Sequence, residues 1–187
     1  MLNALPLRDP DPIIRLMQIY QADTRANKID LGVGVYRDAF GTTPIFRTVQ
    51  AAEERILATQ DTKAYVGLGG DPAFHAAPRE WGFGSSVEAA RIAAVAVPGG
   101  SSAVRQLLDL ARMASPMGRV WISDPSWPNH AGIGEAIGTP VWRYRYYDRA
   151  TGKVDFDAMM DDLAQSGPGD VVILHASCHN PTGADLD

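Results

Sequence analysis

The feature that most limits what this chain can fold into is a regular alternation that begins at Ile92. "IAAVAVP", "RVWISDP", "PVWRYRYYD" and "DVVILHA" are short runs rich in β-branched and aromatic residues. Between them lie "SSAVRQLLDLARMA", "NHAGIGEAIG" and "DFDAMMDDLAQSG", each with helical patterning. Strands separated by helices of this length predict parallel βαβ units, because parallel neighbours need a long crossover. Helices then cover both faces of the sheet, and the fold class is a three-layer α/β/α with a mostly parallel sheet. "IAAVAVP" and "DVVILHA" read as buried strands. The helix after Gly100 is predicted to turn Val104, Leu107, Leu108 and Ala111 inward, and Gly167 to stop the last helix.

The first ninety residues are less regular. Pro12 suits a first helical position, and Leu16, Met17 and Tyr20 share one face with Ile13, so Asp11 to Ala22 reads as a helix. "KIDLGVGVYRD" reads as a short extended piece. "TPIFRTVQAAEERILATQ" is an amphipathic helix opened by Pro44, with Ile45, Val49, Ala52 and Ile56 on one face. "AYVGLGGDP" is a glycine-rich loop. In "DPAFHAAPREWGFG", Pro78 predicts a kink or early stop, since it removes a donor and crowds the preceding turn.

Composition narrows the class of partner. The 187 residues are 45% hydrophobic, enough for a sizeable core, and carry a net charge of -5. That charge argues against a nucleic-acid surface, which needs a basic patch. One cysteine forms no internal disulfide, so a reducing, cytoplasmic setting is expected. The N-terminus lacks the basic start and apolar core of a signal peptide, and no run has the roughly 18 apolar residues of a membrane helix.

In open α/β sheets, ligands bind beyond the carboxyl ends of the strands, and three such ends stand out. In "VPGGSSA", Gly99 and Gly100 allow close backbone approach, and Ser101 and Ser102 fall where helical amides are unpaired. This is a generic anion cradle, and equally an ordinary capped helix start. In "SDPSWPNH", Pro125 and Pro128 stiffen a loop carrying Trp127, a plate for a flat ligand or a packing residue. His130 follows. In "HASCHNPTG", His175, Cys178 and His179 look like half of a metal site, but a structural zinc site wants four ligands with paired spacings. His75 and His130 are isolated in sequence, so no metal is expected. A Cys178–His179 nucleophile pair is also disfavoured, because neighbours on a strand face opposite ways. "NPTG" reads as a rigid turn offering the Asn180 amide at the same edge.

An anion cradle, an aromatic plate and an amide at one edge suit a planar, phosphorylated ring, and pyridoxal phosphate has that shape. The residues alone leave a nucleotide open, although neither G-x-G-x-x-G after a strand nor a P-loop is present.

Taken in order, "KIDLGVGVYRDAFG", "TKAYVGLGGDP", "VPGGSSAVRQ", "VWISDPSWPNH" and "HASCHNPTG" resemble the class I, fold-type-I aminotransferases of the aspartate and aromatic-amino-acid group. The resemblance implies pyridoxal 5'-phosphate as cofactor, amino acid and 2-oxo acid substrates, and a homodimer with shared active sites. It implies that Gly34 lies beside a substrate carboxylate and that Tyr65 reaches the cofactor phosphate of the other subunit. Gly100 and Ser101 would bind the phosphate, Trp127 would stack on the pyridine ring and border the substrate, and Asn180 would donate to the phenolic oxygen and border the substrate. His130 would support an aspartate paired with the pyridine nitrogen. Gly99 and Ser102 match less closely, the family often having glycine at the position of Ser102.

The family's Schiff-base lysine, pyridine-nitrogen aspartate and substrate-gripping arginines lie downstream of NPTG. Here only Lys28, Lys63 and Lys153 occur, each reading as a solvated loop residue. The chain is therefore expected to be the N-terminal half of such an enzyme, inactive alone, its end set by how the reading frame was delimited. Residues 1–43 would form an N-terminal arm and part of a small domain, and 44–187 the first half of a large pyridoxal-phosphate-binding domain. A lyase or decarboxylase on the same scaffold, or a non-catalytic phosphate- or partner-binding fragment, are the alternatives.

Overall fold

The computed structural model describes residues 12–30, 32 and 34–186. The chain forms two compact units, Met1–Ala64 and Tyr65–Asp187. In the first, helix α1 spans Pro12–Ala22 and α2 spans Arg47–Thr59. Asp11, Leu31 and Val33, which the sequence put in the first helix and the extended piece, lie outside the described residues. The rest of that piece is coil. Helix α2 begins at Arg47 rather than Pro44, with Phe46 as its N-cap, so Ile45 is not on it. No residue of α2 is buried. Lys28 departs from the expected solvated state. It is half-buried, and its ammonium donates to the carbonyls of Tyr20 (2.8 Å) and Asp23 (2.7 Å).

The second unit opens with helix α3, Pro72–Phe83. Asp71 caps it by accepting from the Ala73 amide at 2.7 Å, and Pro72 occupies the first turn where no donor is lost. The helix does not stop at Pro78, which lies inside it. One missing hydrogen bond leaves the rest of the ladder intact. "IAAVAVP" is not the expected buried strand. After a short 3₁₀ turn, Ala89–Arg91, residues 92–97 pair with no other strand among the described residues and are mostly exposed. The Ile92 amide donates back to the Ala89 carbonyl at 3.2 Å, and the Ala96 amide to the Gly69 carbonyl at 2.8 Å.

The regular architecture follows. Helix α4 is Gly99–Ala114, strand β1 Val120–Asp124, helix α5 Pro128–Ala136 and strand β2 Val141–Arg145. A small antiparallel pair, β3 Tyr147–Asp148 and β4 Lys153–Val154, precedes helix α6, Phe156–Leu163, and strand β5, Val171–Val172. Lys153 thus sits in a strand rather than a loop. The main sheet is parallel with order β2-β1-β5. Strand β5 is shorter and less buried than the sequence suggests. It is an edge strand with only two paired residues, Val171 beside Val120 and Val172 beside Trp121.

The pleat of β1 explains the core. Successive side chains of a strand face opposite ways. Val120 and Ile122 pack with Leu108 of α4 and with Ile137, just past α5. Trp121 packs on the opposite side with Tyr144, Tyr146 and Met159 of α6. One layer of helix therefore covers each face, as the alternation predicts. Leu107 is the exception on α4. It is 63% exposed, while Leu108 is buried and Val104 and Ala111 are half-buried. Position 107 falls at the shoulder of the apolar stripe rather than its centre. At the other end of the sheet, Asp170 accepts from the Arg119 side chain, the Trp121 indole (3.0 Å) and the Gly167 amide (2.9 Å). That pins β5 to β1.

Candidate cofactor site

The sheet order creates a switch point. From β1 the chain passes through α5 to β2 on one side, and from β2 through α6 to β5 on the other. The connection that leaves β1 and the one that enters β5 thus run to opposite sides of the sheet, and such a switch between neighbouring strands opens a crevice at their carboxyl ends. Asp124, at that end of β1, leads into Ser126, Trp127 and α5. Strand β5 leads at the same end into the loop from His175 to Gly183.

The β1–α5 turn orients its residues closely. Pro128 starts α5, and Trp127 is its N-cap. Ser126 Oγ lies 2.9 Å from Nδ1 of His130, and the Trp127 carbonyl accepts from the His130 amide at 3.0 Å. His130 is buried, and Trp127 meets it edge-on at 5.2 Å between ring centroids. The ring contacts continue. His130 lies 5.2 Å from His175, and His175 lies 4.3 Å from His179. His130, isolated in sequence, is thus part of a cluster in space. Burial lowers its pKa first, and the neighbouring histidines lower it further. Burial likewise lowers those of His175 and His179. In all three the shift favours the neutral ring, which can accept as well as donate.

His175 Nδ1 accepts from the Asn180 backbone N–H at 3.0 Å, which fixes the start of the NPTG turn. The turn bends at Gly183, whose φ of +66° favours glycine. Cys178 and His179 lie in a loop and not on a strand, yet they still diverge. Cys178 is exposed and His179 is 3% exposed. Among the described residues, no group of three or more His, Cys, Asp or Glu is arranged to hold a metal ion.

Helix α4 supplies the third part. Pro98, its N-cap, gives no side-chain hydrogen bond, so the first-turn amides keep their donor capacity. Gly99 has φ +75°, a conformation that favours glycine. A Cβ added at Gly100 would meet nothing within 4 Å. Ser101 is exposed in this turn, and its Oγ accepts from the Asn129 amide of α5 at 3.4 Å. Ser102, next to it, is half-buried.

Ser101, Trp127 and Asn180 are thus connected through Asn129, His130 and His175. Asn129 was missed in sequence because an asparagine in a helix start carries no signal of its own. His175 and His179 were seen only as half of a metal site. Gly34 lies in the first unit, exposed in coil, and Tyr65 is a fully exposed residue at the start of the second. Lys28 and Lys63 are engaged within the first unit, Lys63 with the Gln60 amide oxygen.

The start of α4, the β1–α5 turn and the loop from His175 to Gly183 thus form one linked group of polar and aromatic residues on an α/β fold. The family model for class I and II aminotransferases matches residues 26–187, and the chain belongs to that family. It is similar to the aromatic-amino-acid aminotransferase of Paracoccus denitrificans, 52% identical over 186 residues that cover 100% of this chain and 47% of the relative. The aspartate aminotransferase of Salmonella typhi is 41% identical, over 94% of this chain and 45% of its own length. The structure of an aromatic-amino-acid aminotransferase from Burkholderia pseudomallei, covalently bound to pyridoxal phosphate, superposes with a TM-score of 0.94 at 37% identity. It is matched over 100% of this chain and 48% of its own. The chain spans about half the length of the relatives it matches.

Proposed function

We propose that the intact protein transfers an amino group between an amino acid, aspartate or aromatic, and a 2-oxo acid, using pyridoxal 5'-phosphate. The single observation that carries this reading is the link from Ser101 through Asn129 and α5 to Trp127, His130, His175 and Asn180. The donor set suits the cofactor. The first-turn amides of α4, Gly100 and the Ser101 hydroxyl offer donors to a phosphate, and the positive helix end favours its charge. Trp127 offers a face to a pyridine ring, and Asn180 a neutral donor to a phenolic oxygen. Buried His130, shifted toward the neutral ring, is suited to orient a group on the ring-nitrogen side. When bound, pyridoxal phosphate supplies an electron sink for charge developing at a substrate carbon, while the protein orients and tunes it.

Gly34 beside a substrate carboxylate, Tyr65 reaching the phosphate of a second subunit, and hence a homodimer with shared sites, belong to the same proposal. The full exposure of Tyr65 is what such a reach requires. A large domain beginning near residue 44 and a cytoplasmic setting, in keeping with one free cysteine, complete it.

The test is Ser101→Ala in the intact protein. Losing one charge-assisted hydrogen bond, about 1.5–3 kcal/mol, should weaken pyridoxal phosphate binding about ten- to a hundredfold. Unchanged affinity would remove the phosphate role. Product analysis with aspartate or phenylalanine and 2-oxoglutarate decides the reaction. A new oxo acid and a new amino acid mark transfer, and an amine with carbon dioxide marks decarboxylation.

A further inference from the structure

The loop that brings Asn180 to the edge of the sheet reverses at a residue whose backbone needs outside support. Cys178 has φ +54°, the one non-glycine residue with positive φ among those described. A Cβ crowds the backbone there, so the conformation is unfavourable for cysteine. The reversal has a consequence for its neighbours. Cys178 is exposed, while His179 is 3% exposed, its ring 2.9 Å from Ser123 Oγ on β1 and 4.3 Å from the ring of His175. Asn180 follows, its backbone N–H on His175 Nδ1. Asp185 holds the reversal. Its Oδ2 accepts from the Cys178 backbone N–H and its Oδ1 from that of His179, both at 2.8 Å. The direction of both bonds is fixed, because a backbone N–H only donates and a carboxylate only accepts. Successive amides aimed at one point form a concavity that takes an anion, and here a carboxylate of the chain itself fills it. Asp185 is anchored in turn. The phenol of Tyr146, 2% exposed, donates to the Ala184 carbonyl at 2.7 Å and ties the residue before Asp185 to the core. The Gly183 amide closes onto the His179 carbonyl at 2.7 Å.

We propose that Asp185 is a positioning residue: its carboxylate holds Cys178 in the left-handed conformation, and so sets where His179 and Asn180 stand at the carboxyl edge of the sheet. An exposed carboxylate two residues past the NPTG turn would otherwise read as a solvated group. Both hydrogen bonds go to loop backbone, so Asp185 acts on Asn180 and on the histidine cluster together, by placing the chain that carries them. Its effect on a ligand rests on the proposed cofactor role of Asn180 and that cluster, and the experiment below separates the two.

The first arm needs no cofactor. Hydrogen exchange of the intact apo-protein should find the Cys178 and His179 amides protected, and Asp185→Ala should speed exchange at those two while the amides of β1 stay as they were. Unchanged exchange at Cys178 and His179 overturns the proposal. The second arm reads pyridoxal phosphate affinity and the absorbance of the bound cofactor in the intact protein. Losing both charge-assisted hydrogen bonds at an exposed carboxylate should weaken binding about tenfold and shift the absorbance. Glycine adopts φ +54° without the crowding of a Cβ. Cys178→Gly alone should therefore bind as the wild type does, and Asp185→Ala with Cys178→Gly should recover most of the lost affinity and the original spectrum. A loss that Cys178→Gly leaves uncorrected overturns the proposal. So does a lower melting temperature with affinity and spectrum unchanged, which marks a structural role alone. If Asp185→Ala does not fold, Asp185→Asn keeps one acceptor oxygen. It should lose less affinity, and Cys178→Gly should again correct it; failure of that correction counts equally against the proposal. A wild-type protein that binds no pyridoxal phosphate sinks the functional reading instead, and leaves the exchange arm to decide for Asp185.

Discussion

Helix α2 and strand β1 are comparable in apolar content and opposite in fate. In α2, Val49, Ile56 and Leu57 are 44%, 55% and 86% exposed. In β1, Val120, Trp121, Ile122 and Ser123 are each exposed by 2% or less. The buried apolar core among the described residues begins only at Leu108. An amphipathic helix presents one stripe, and the stripe is stabilising only where another layer meets it. A central parallel strand is met on both faces and both edges. The difference teaches that burial in this chain is created by sheet pairing rather than by local periodicity.

The largest effect should come from cutting the strand side of that contrast. Trp121→Ala in the 187-residue chain removes the largest fully buried side chain, which packs on Tyr144, Tyr146 and Met159. It also strips Asp170 of an indole donor. A loss of about 3–5 kcal/mol is expected in denaturant unfolding. A loss under about 1 kcal/mol would break the comparison outright.

Asp170→Asn should come second. It leaves the Arg119 guanidinium without its charge partner and disturbs the Trp121 and Gly167 donors. The expected cost is about 1–3 kcal/mol. The sign of the pH effect follows from the side chain. Hydrogen bonds from Arg119 hold the Asp170 pKa well below the usual carboxylate range, against a smaller rise from burial. A depressed folded value means the contribution is present above the unfolded pKa, about 3.9, and is lost as pH falls from there toward the folded value. Acid unfolding of Asp170→Asn should lack that part of the decline. Identical slopes in the two proteins below about pH 4 would remove Asp170 from the account.

The same contrast explains what the sequence could disclose. Helices α4 and α6 follow from periodicity, because each repeats an apolar stripe over two turns or more, while α5 and β1 follow only from their place in the strand–helix alternation. "IAAVAVP" does not follow, because apolar residues do not say whether a neighbouring strand is present to accept their backbone. Strand β5 shrinks to Val171–Val172 for the same reason. Pro78 inside α3 misleads in the other direction, since one lost hydrogen bond is weaker than the turns on either side. At the site, glycines, serines and a tryptophan after apolar runs marked Gly100, Ser101 and Trp127. The ties among them were invisible. Asn129 reaches Ser101 across 28 residues and His179 reaches Ser123 across 56, spacings that no motif encodes.

The smallest effect belongs to the helix side. Leu57→Ser in α2 removes an apolar side chain that is 86% exposed, with no buried neighbour on its own helix. No cavity forms, so the transfer and packing losses that dominate at Trp121 do not apply. What remains is the lower helix propensity of serine, a few tenths of a kcal/mol, and the change should stay within about 0.5 kcal/mol. Denaturant unfolding of the 187-residue chain measures it on the same scale as Trp121→Ala. A cost above about 2 kcal/mol would mean that α2 buries Leu57 in solution. The opposition between a strand buried along its length and a helix with no buried residue would then fail at its weaker end.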